Sequence, residues 1–354
     1  MRIGIPREIK TLEGRVALIP AAASKLVAEG HEVLLERDAG RLSGYSDEQY
    51  AQAGVRIVAD AATLYGEAQL IVKVKEPQPV EVAMLREDQL LFSYLHLAAE
   101  LELMRALQNT GVTAVAFETV ETDAGQLPLL APMSDIAGRV AVQVGTHLLH
   151  QPQGGRGLLL GGVPAAERGK VVVLGAGVAG GNAALLAAAM GAEVTVFDLN
   201  RDRLAQMRAL GNNVTGLYPY PDALHQAVLE ADLLIGAVLV VGKRATHLVS
   251  AQTVAEMRDG SVIIDISVDQ GGCIETTRPT TYAAPTFVVD GVIHFGVTNM
   301  PGAVPRTASQ ALSAALIPYV SRLARPDWQQ HAELVRGINI RHGEVVHSAL
   351  KEVT

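Results

Sequence analysis

Residues 170–198 read KVVVLGAGVAGGNAALLAAAMGAEVTVFD. A valine run, Val171–Val173 with Leu174, stops at Gly175, and Gly177 and Gly180 complete G-x-G-x-x-G. An alanine-rich stretch of helical length follows, then a second apolar run, Val194–Phe197, that ends on Asp198. Strand, turn, helix and strand in this order form a βαβ unit. Gly175 permits the tight turn, Gly177 lets the backbone approach a pyrophosphate, and Gly180 lets helix and strand pack closely. The N–H groups of the helix N-terminus face the phosphates, and Asp198 is spaced to bind both hydroxyls of a ribose. Glycine supplies 34 of 354 residues, so three spaced glycines alone are a weak signal and a ligand-free turn is the plain alternative. The flanking strands and the terminal acid favour a dinucleotide. A carboxylate at 198 repels a 2′-phosphate, which predicts NAD over NADP. Arg201 and Arg203 weigh against that, because an arginine accommodates the phosphate.

A chain of this length exceeds one ordinary core, so two domains are expected. It carries 29 basic and 37 acidic residues, net −8, without a basic stripe, which argues against nucleic acid as a partner. A single cysteine, Cys273, excludes an internal disulfide framework and fits a reducing compartment. The N-terminus MRIGIPREIK has no apolar signal core, and runs such as Leu233–Val241 are too short to span a bilayer. A cytoplasmic protein without membrane partner is the expectation.

Outward from the glycine loop, residues 1–127 alternate apolar runs with amphipathic stretches. Strands are expected at Ile3–Ile5, Glu32–Leu35, Arg56–Val58, Leu70–Lys75, Leu90–His96 and Thr113–Phe117. Such alternation implies a parallel sheet covered by helices. A loop then leads to a long helix starting near Ser134, and QPQGGRGLLLGGVP reads as a connector or small hairpin. Beyond the glycine loop, strands are expected at Asp232–Val238, Ser261–Ile266 and Val292–Phe295. A helix from Ser309, interrupted at Pro318, returns to the first domain. The predicted fold is α/β: two Rossmann-like domains with parallel sheets and an inter-domain cleft. A substrate (catalytic) domain spans 1–128 and 307–354, and an NAD-binding domain spans 129–306.

Several side chains could do chemistry. Lys73 and Lys75, two apart in LIVKVKEP, would share one face of a strand. Spacing alone leaves open an edge strand with solvated lysines or a lysine at a strand end facing the cleft, for which Lys75 is the better candidate. His96 closes LLFSYLH, and is either a satisfied core histidine or a proton carrier near neutral pH. Arg15, after Gly14 in the loop following the first strand, is either a surface charge or a fork for a substrate carboxylate. In SVIIDISVDQGGC, Asp265 lies within the strand, whereas Asp269 lies past its end and is better placed to reach a ligand. Nothing around Cys273 marks a nucleophile. The ten histidines show no metal-ligand spacing, so no metal is expected.

Taken together and in order, MRIGIPREIK with RVALIP, LIVKVKEP, LLFSYLHLAA, AFETV, LPLLAPMS–AGR, QGGRGLLLGGVP, VVVLGAGVAG, IGAVLV, DISVDQGGC–RPTTY and TNMPGAVP closely resemble the alanine dehydrogenase family. The resemblance runs from residue 1 to about 320 and is less clear over the last thirty residues. It implies NAD-dependent, reversible oxidative deamination of L-alanine to pyruvate and ammonium, in a cytoplasmic homohexamer. Matched position by position, it implies that Arg15 binds the substrate carboxylate and Lys75 the substrate. His96 becomes the acid/base group and Asp269 the catalytic aspartate. For the cofactor it implies Ser134 on the pyrophosphate, the loop Gly175, Gly177, Val178, Ala179 and Gly180, and Asp198 on the ribose. Arg203 stands where the family often has lysine. Val238, Leu239, Ile266, Ser267, Val268 and Asp269 would line the nicotinamide half, with Arg278, Val297, Thr298, Asn299 and Met300 completing the contacts. Tyr220 departs from the family, which places a serine near the adenine.

Three rival readings remain. The nucleotide-binding subunit of a proton-translocating transhydrogenase resembles this family in fold and loop, but the set Arg15, Lys75, His96 and Asp269 argues against it. A saccharopine-type amino-acid dehydrogenase is a more distant enzyme alternative. A catalytically silent NAD-binding sensor is an alternative of another class. Turnover of alanine with NAD separates them.

Overall fold

The computed structural model describes residues 1–238 and 247–351. The chain forms two compact units, Met1–Met133 with Gly302–Thr354, and Ser134–Pro301. Its strands, in chain order, are β1 (Arg2–Ile5), β2 (Glu32–Glu36), β3 (Arg56–Val58), β4 (Leu70–Val72), β5 (Leu90–Ser93), β6 (Thr113–Ala116), β7 (Lys170–Leu174), β8 (Glu193–Phe197), β9 (Val214–Leu217), β10 (Leu233–Gly236), β11 (Val262–Asp265), β12 (Thr286–Val289), β13 (Val292–Phe295), β14 (Ile338–Arg341) and β15 (Glu344–Val345).

Among the described residues, the first unit holds an eight-stranded sheet of order β15-β14-β6-β5-β4-β1-β2-β3. It is parallel from β3 to β6, as the alternating pattern predicts, and β14 and β15 add an antiparallel edge. Leu34, Ile71, Leu91 and Ala114 pack with Leu64 and Leu107 of the covering helices and with Ile340. The second unit holds a seven-stranded sheet of order β12-β13-β11-β10-β7-β8-β9, parallel apart from the β12–β13 hairpin. Its buried runs, Val171–Leu174, Leu233–Ile235 and Val262–Ile264, are apolar on consecutive residues because helices cover both faces.

Three local expectations need correction. β4 ends at Val72, so Lys73 and Lys75 do not share a strand face. The chain bends there, Lys73 turns inward to 1% exposure, and Lys75 stays part-exposed. Nor is β4 an edge strand; it lies between β1 and β5. The long helix begins at Ala131, not near Ser134, because Pro132 sits in the first turn, where its missing N–H costs nothing. The helix Pro305–Leu323 runs through Pro318 uninterrupted. Its packing in the first unit compensates for the one hydrogen bond that proline removes. Ser309 Oγ accepts the Val16 N–H at 2.9 Å, and Ser313 Oγ accepts that of Ile19 at 3.1 Å.

Candidate active site

In the first unit Lys75 and His96 stand just beyond the carboxyl ends of the parallel strands β4 and β5, the usual ligand side of such sheets, and Arg15 lies in the long loop after β1. Arg15 is 3% exposed and clamped by Glu13. Its Nε donates to Glu13 Oε1 at 2.7 Å, and Nη2 to Oε2 at 2.6 Å. Nη1 reaches Met133 Sδ at 3.1 Å. Arg15 is therefore no surface charge. The fork that sequence reasoning reserved for a ligand is closed on Glu13 along one edge. Burial alone would loosen the guanidinium's proton; the Glu13 carboxylate overturns that and raises its pKa.

Lys75 lies beside Glu76, 3.9 Å from Oε2, and Glu76 is also ion-paired with Lys10. Burial pulls the Lys75 ammonium below the ordinary lysine range, and Arg15 and Lys10 pull the same way against Glu76. Glu76 is held below the carboxylate range: burial opposes this, but Lys75 and Lys10 prevail. Lys73 is structural. Its Nζ meets Glu8 at 3.0 Å and Glu81 at 3.3 Å, and Tyr65 donates to Glu81 at 3.1 Å. Burial would lower the Lys73 pKa, but these two carboxylates raise it.

His96 follows β5 in a left-handed conformation, φ 50°. Its ring stacks on Tyr94 with centroids 5.8 Å apart and planes at 7°. Tyr94 donates to the Leu129 carbonyl at 2.6 Å, and burial raises its pKa, keeping it a neutral phenol. Sequence reasoning missed Glu13, Tyr94, Glu118 and Met133. For Glu118 a signal existed in the register: Ser93 pairs with Ala116, so Glu118 lies two residues along from Ala116, level with Leu95 and beside His96.

In the second unit the glycine loop fits a dinucleotide by the room it leaves. A Cβ on Gly177 would meet nothing within 4 Å. At Gly180 it would collide with the Gly175 carbonyl, and Gly175 itself needs φ 95°. The helix Val178–Ala189 carries no side-chain cap at Gly177, whereas Asn200 and Ser250 cap theirs. An uncapped N-terminus suits an anion. Val178 is exposed and Ala179 half-buried. Gly138 touches the Ala179 carbonyl too closely for any side chain, so the helix Ala131–Leu148 backs onto this loop. Ser134, one turn before Gly138, shares that face. Asp198 closes β8; Oδ2 accepts the Ala176 N–H at 2.6 Å and Oδ1 that of Asn200 at 2.7 Å. Arg203 stands 3.9 Å from it.

Asp265 ends β11 and is fully buried. It accepts the Ser267 N–H at 3.0 Å, the Ser267 hydroxyl at 2.7 Å, the Cys273 N–H at 2.9 Å and the Thr277 hydroxyl at 2.9 Å. It shapes the loop on which Asp269 is exposed, within the turn Val268–Gln270. Ser267 thus spends its hydroxyl on Asp265. Ile266 and Val238 are half-buried and Val268 is buried; Leu239 lies outside the described residues. Burial pushes the Cys273 thiol up to about 12, which fits an inert core position. Arg278 lies over the Phe287 ring at 4.2 Å. Val297 and Met300 are buried, Asn299 is half-buried and Thr298 is exposed. Tyr220, 66% exposed, lies 4.9 Å from Tyr218 between ring centroids. No group of His, Cys, Asp or Glu that could hold a metal occurs among the described residues.

Two family models match in order: Alanine dehydrogenase/PNT, N-terminal domain, over residues 4–137, and Alanine dehydrogenase/PNT, C-terminal domain, over residues 141–348. The alanine dehydrogenase of Halomonas elongata is 49% identical, over 99% of this chain and 96% of that protein. The solved structure of an L-alanine dehydrogenase superposes with TM-score 0.97 at 50% identity, covering 100% of this chain and 99% of that one. A transhydrogenase structure from Sinorhizobium meliloti follows at TM-score 0.85 and 27% identity, over 99% of this chain and 100% of that one. The chain therefore belongs to the alanine dehydrogenase family of oxidoreductases.

Proposed function

We propose that the chain catalyses the NAD-dependent, reversible oxidative deamination of L-alanine: alanine, NAD⁺ and water give pyruvate, ammonium, NADH and a proton. The observation that carries this reading is the pair of cations in the first unit, Arg15 buried and Lys75 part-exposed. Arg15 is locked in its charged form by Glu13, while Lys75 holds its proton loosely beside Glu76. A 2-oxo acid asks for both: a permanent cation for the carboxylate and a lysine that can hydrogen-bond or exchange a proton at the carbonyl oxygen. Conversion of iminopyruvate to pyruvate passes through a carbinolamine, so water must lose a proton and nitrogen must gain one. His96 and Asp269 are the proposed carriers.

The second unit would hold the cofactor. The Gly175–Gly180 loop, Val178, Ala179 and Ser134 would take the pyrophosphate. Asp198 would take the ribose hydroxyls, with Arg203 beside it. Val238, Ile266 to Asp269, Arg278 and Val297 to Met300 would take the nicotinamide half. When bound, the nicotinamide supplies the hydride acceptor. The Asp198 carboxylate stands where a 2′-phosphate would fall, which supports NAD over NADP. Among the described residues no helix is long and apolar enough to cross a membrane. We place the protein in the cytoplasm as a homohexamer, by its family.

The test is turnover of alanine with NAD and NADP, together with the mass of the assembly in solution. Alanine-dependent NADH formation with a clear preference for NAD supports the reading. NADH binding without turnover would favour a silent sensor, and equal kcat/KM for the two cofactors would overturn the role of Asp198.

A further inference from the structure

At the end of β5 the chain leaves its sheet, and two consecutive amides need acceptors. Up to Tyr94, whose N–H donates to the Val74 carbonyl at 3.1 Å, the neighbouring segment supplies them. Beyond it Glu118, in the short turn Phe117–Thr119 after β6, takes over. Its Oε1 accepts the His96 N–H at 2.6 Å and the Leu95 N–H at 3.1 Å, and Oε2 lies 3.3 Å from the Leu95 nitrogen. A charged acceptor at such distances makes a strong hydrogen bond. The backbone it grips is in an unusual state, since His96 adopts φ 50°, a region residues with a Cβ seldom occupy and hold only when their surroundings impose it. From this conformation the imidazole lies parallel on Tyr94, and Tyr94 is itself fixed by Leu129 and by the edge of Phe117, 4.9 Å away between centroids.

We propose that Glu118 is the positioning residue for His96: its carboxylate holds the Leu95–His96 amides in the left-handed turn and thereby aims the imidazole. The proposal rests on the reading of His96 as the acid/base group. Glu118 acts through the backbone and is assigned no contact with substrate. A role limited to closing the loop would affect stability but not the chemical step selectively, and this separates the two accounts.

The experiment compares Glu118→Ala, Glu118→Asp, Glu118→Gln and His96→Ala, with the double variant Glu118→Ala/His96→Ala, in pyruvate amination with NADH. Glutamine keeps the Oε1 acceptor, and its kcat is expected within about threefold of the unsubstituted protein. Aspartate is one methylene too short to serve both amides, and kcat should fall about tenfold. Alanine should lower kcat roughly 10–100-fold, less than the 10²–10⁴-fold expected for losing the acid/base group itself. The KM for pyruvate and the Kd for NADH should stay within about threefold. Because Glu118 acts through His96, adding Glu118→Ala to His96→Ala should cost nothing further. If Glu118→Ala proves insoluble, the Asp and Gln pair decides in the same terms. Normal kcat in Glu118→Ala or Glu118→Asp beside a crippled His96→Ala overturns the proposal and leaves the reading of His96 intact. A full additional loss in the double variant also overturns it. Normal turnover of His96→Ala overturns the reading of His96, and the proposal with it.

Discussion

The two units equip themselves in opposite ways. The first pairs charged side chains with one another: Glu13 with Arg15 and Glu8 and Glu81 with Lys73, all buried, and a buried Glu76 with the part-exposed Lys10 and Lys75. The second works with backbone. Its loop is made of glycines, its helix N-terminus has no side-chain cap, and Asp198 and Asp265 are held by N–H groups and hydroxyls. A small carboxylate substrate needs strong, fixed cations, and a buried cation stays in place only with a counter-charge. Phosphates can be held by amides that carry no net charge. Substitutions should therefore fail differently in the two units: through stranded charges in the first, through lost or filled space in the second.

The largest effect is expected at Glu13. Glu13→Ala leaves the Arg15 guanidinium buried without its counter-ion and should destabilise the protein by about 3–5 kcal/mol. An unchanged urea midpoint would show that the ion pair contributes little. Arg15→Lys should come next. A lysine cannot satisfy Glu13 and a substrate carboxylate together, and loss of one charge-assisted bond, about 1.5–3 kcal/mol, should raise the pyruvate KM some 10–100-fold. NADH affinity should not move; if it falls while the pyruvate KM stays put, Arg15 serves the cofactor instead.

A glycine pair sharpens the other side of the comparison. Gly180→Ala should cost roughly 1–3 kcal/mol of stability, because its Cβ has no room. Gly177→Ala should leave stability unchanged and weaken NADH binding about tenfold, because its Cβ would fill space meant for the ligand. Calorimetry on both variants checks the pair, and equal behaviour would erase the distinction. The smallest effect is a slope. Lys75 gives up its proton at lower pH when folded than in the unfolded chain, where a lysine titrates near 10.4. Between those two values the unfolded chain binds more protons, so stability gains a component that climbs with pH. Lys75→Met should remove that climb; parallel stability curves on the alkaline side, up to the ordinary lysine range, would count against it.

The parallel cores were legible because consecutive buried apolar residues, as in Val171–Leu174 and Val262–Ile264, leave little choice but a covered strand. The edges were not. β9 contains Gly216, β12 alternates between exposed and half-buried residues, and β14 and β15 are short antiparallel additions made late in the chain. Strand ends were overshot at Lys75 and His96, since a bend after Val72 and a left-handed turn after β5 leave no mark in hydropathy. The glycine loop and Asp198 could be read because spacing along one segment defines them. Glu13 hid in plain view: an acid two residues from a base reads as surface salt until burial is known. Glu118 belongs to its partner only across a strand pairing. Tyr94 and Met133 looked like ordinary core residues.

The first unit is made from both ends of the chain, and this bears on its synthesis. When Ala116 leaves the ribosome, β6 is an open strand edge, buried in the finished protein, and its partner β14 does not exist until Ile338–Arg341 is made. The serines that accept the Val16 and Ile19 amides also arrive late, on the helix Pro305–Leu323. The inserted segment from Ser134 to Pro301 is complete before either. Vectorial synthesis thus yields a finished second unit beside a first that still has a sticky edge and lacks part of its frame. Slow elongation or truncation between Pro301 and Ile338 would prolong the stage at which nascent chains can pair through that edge and aggregate.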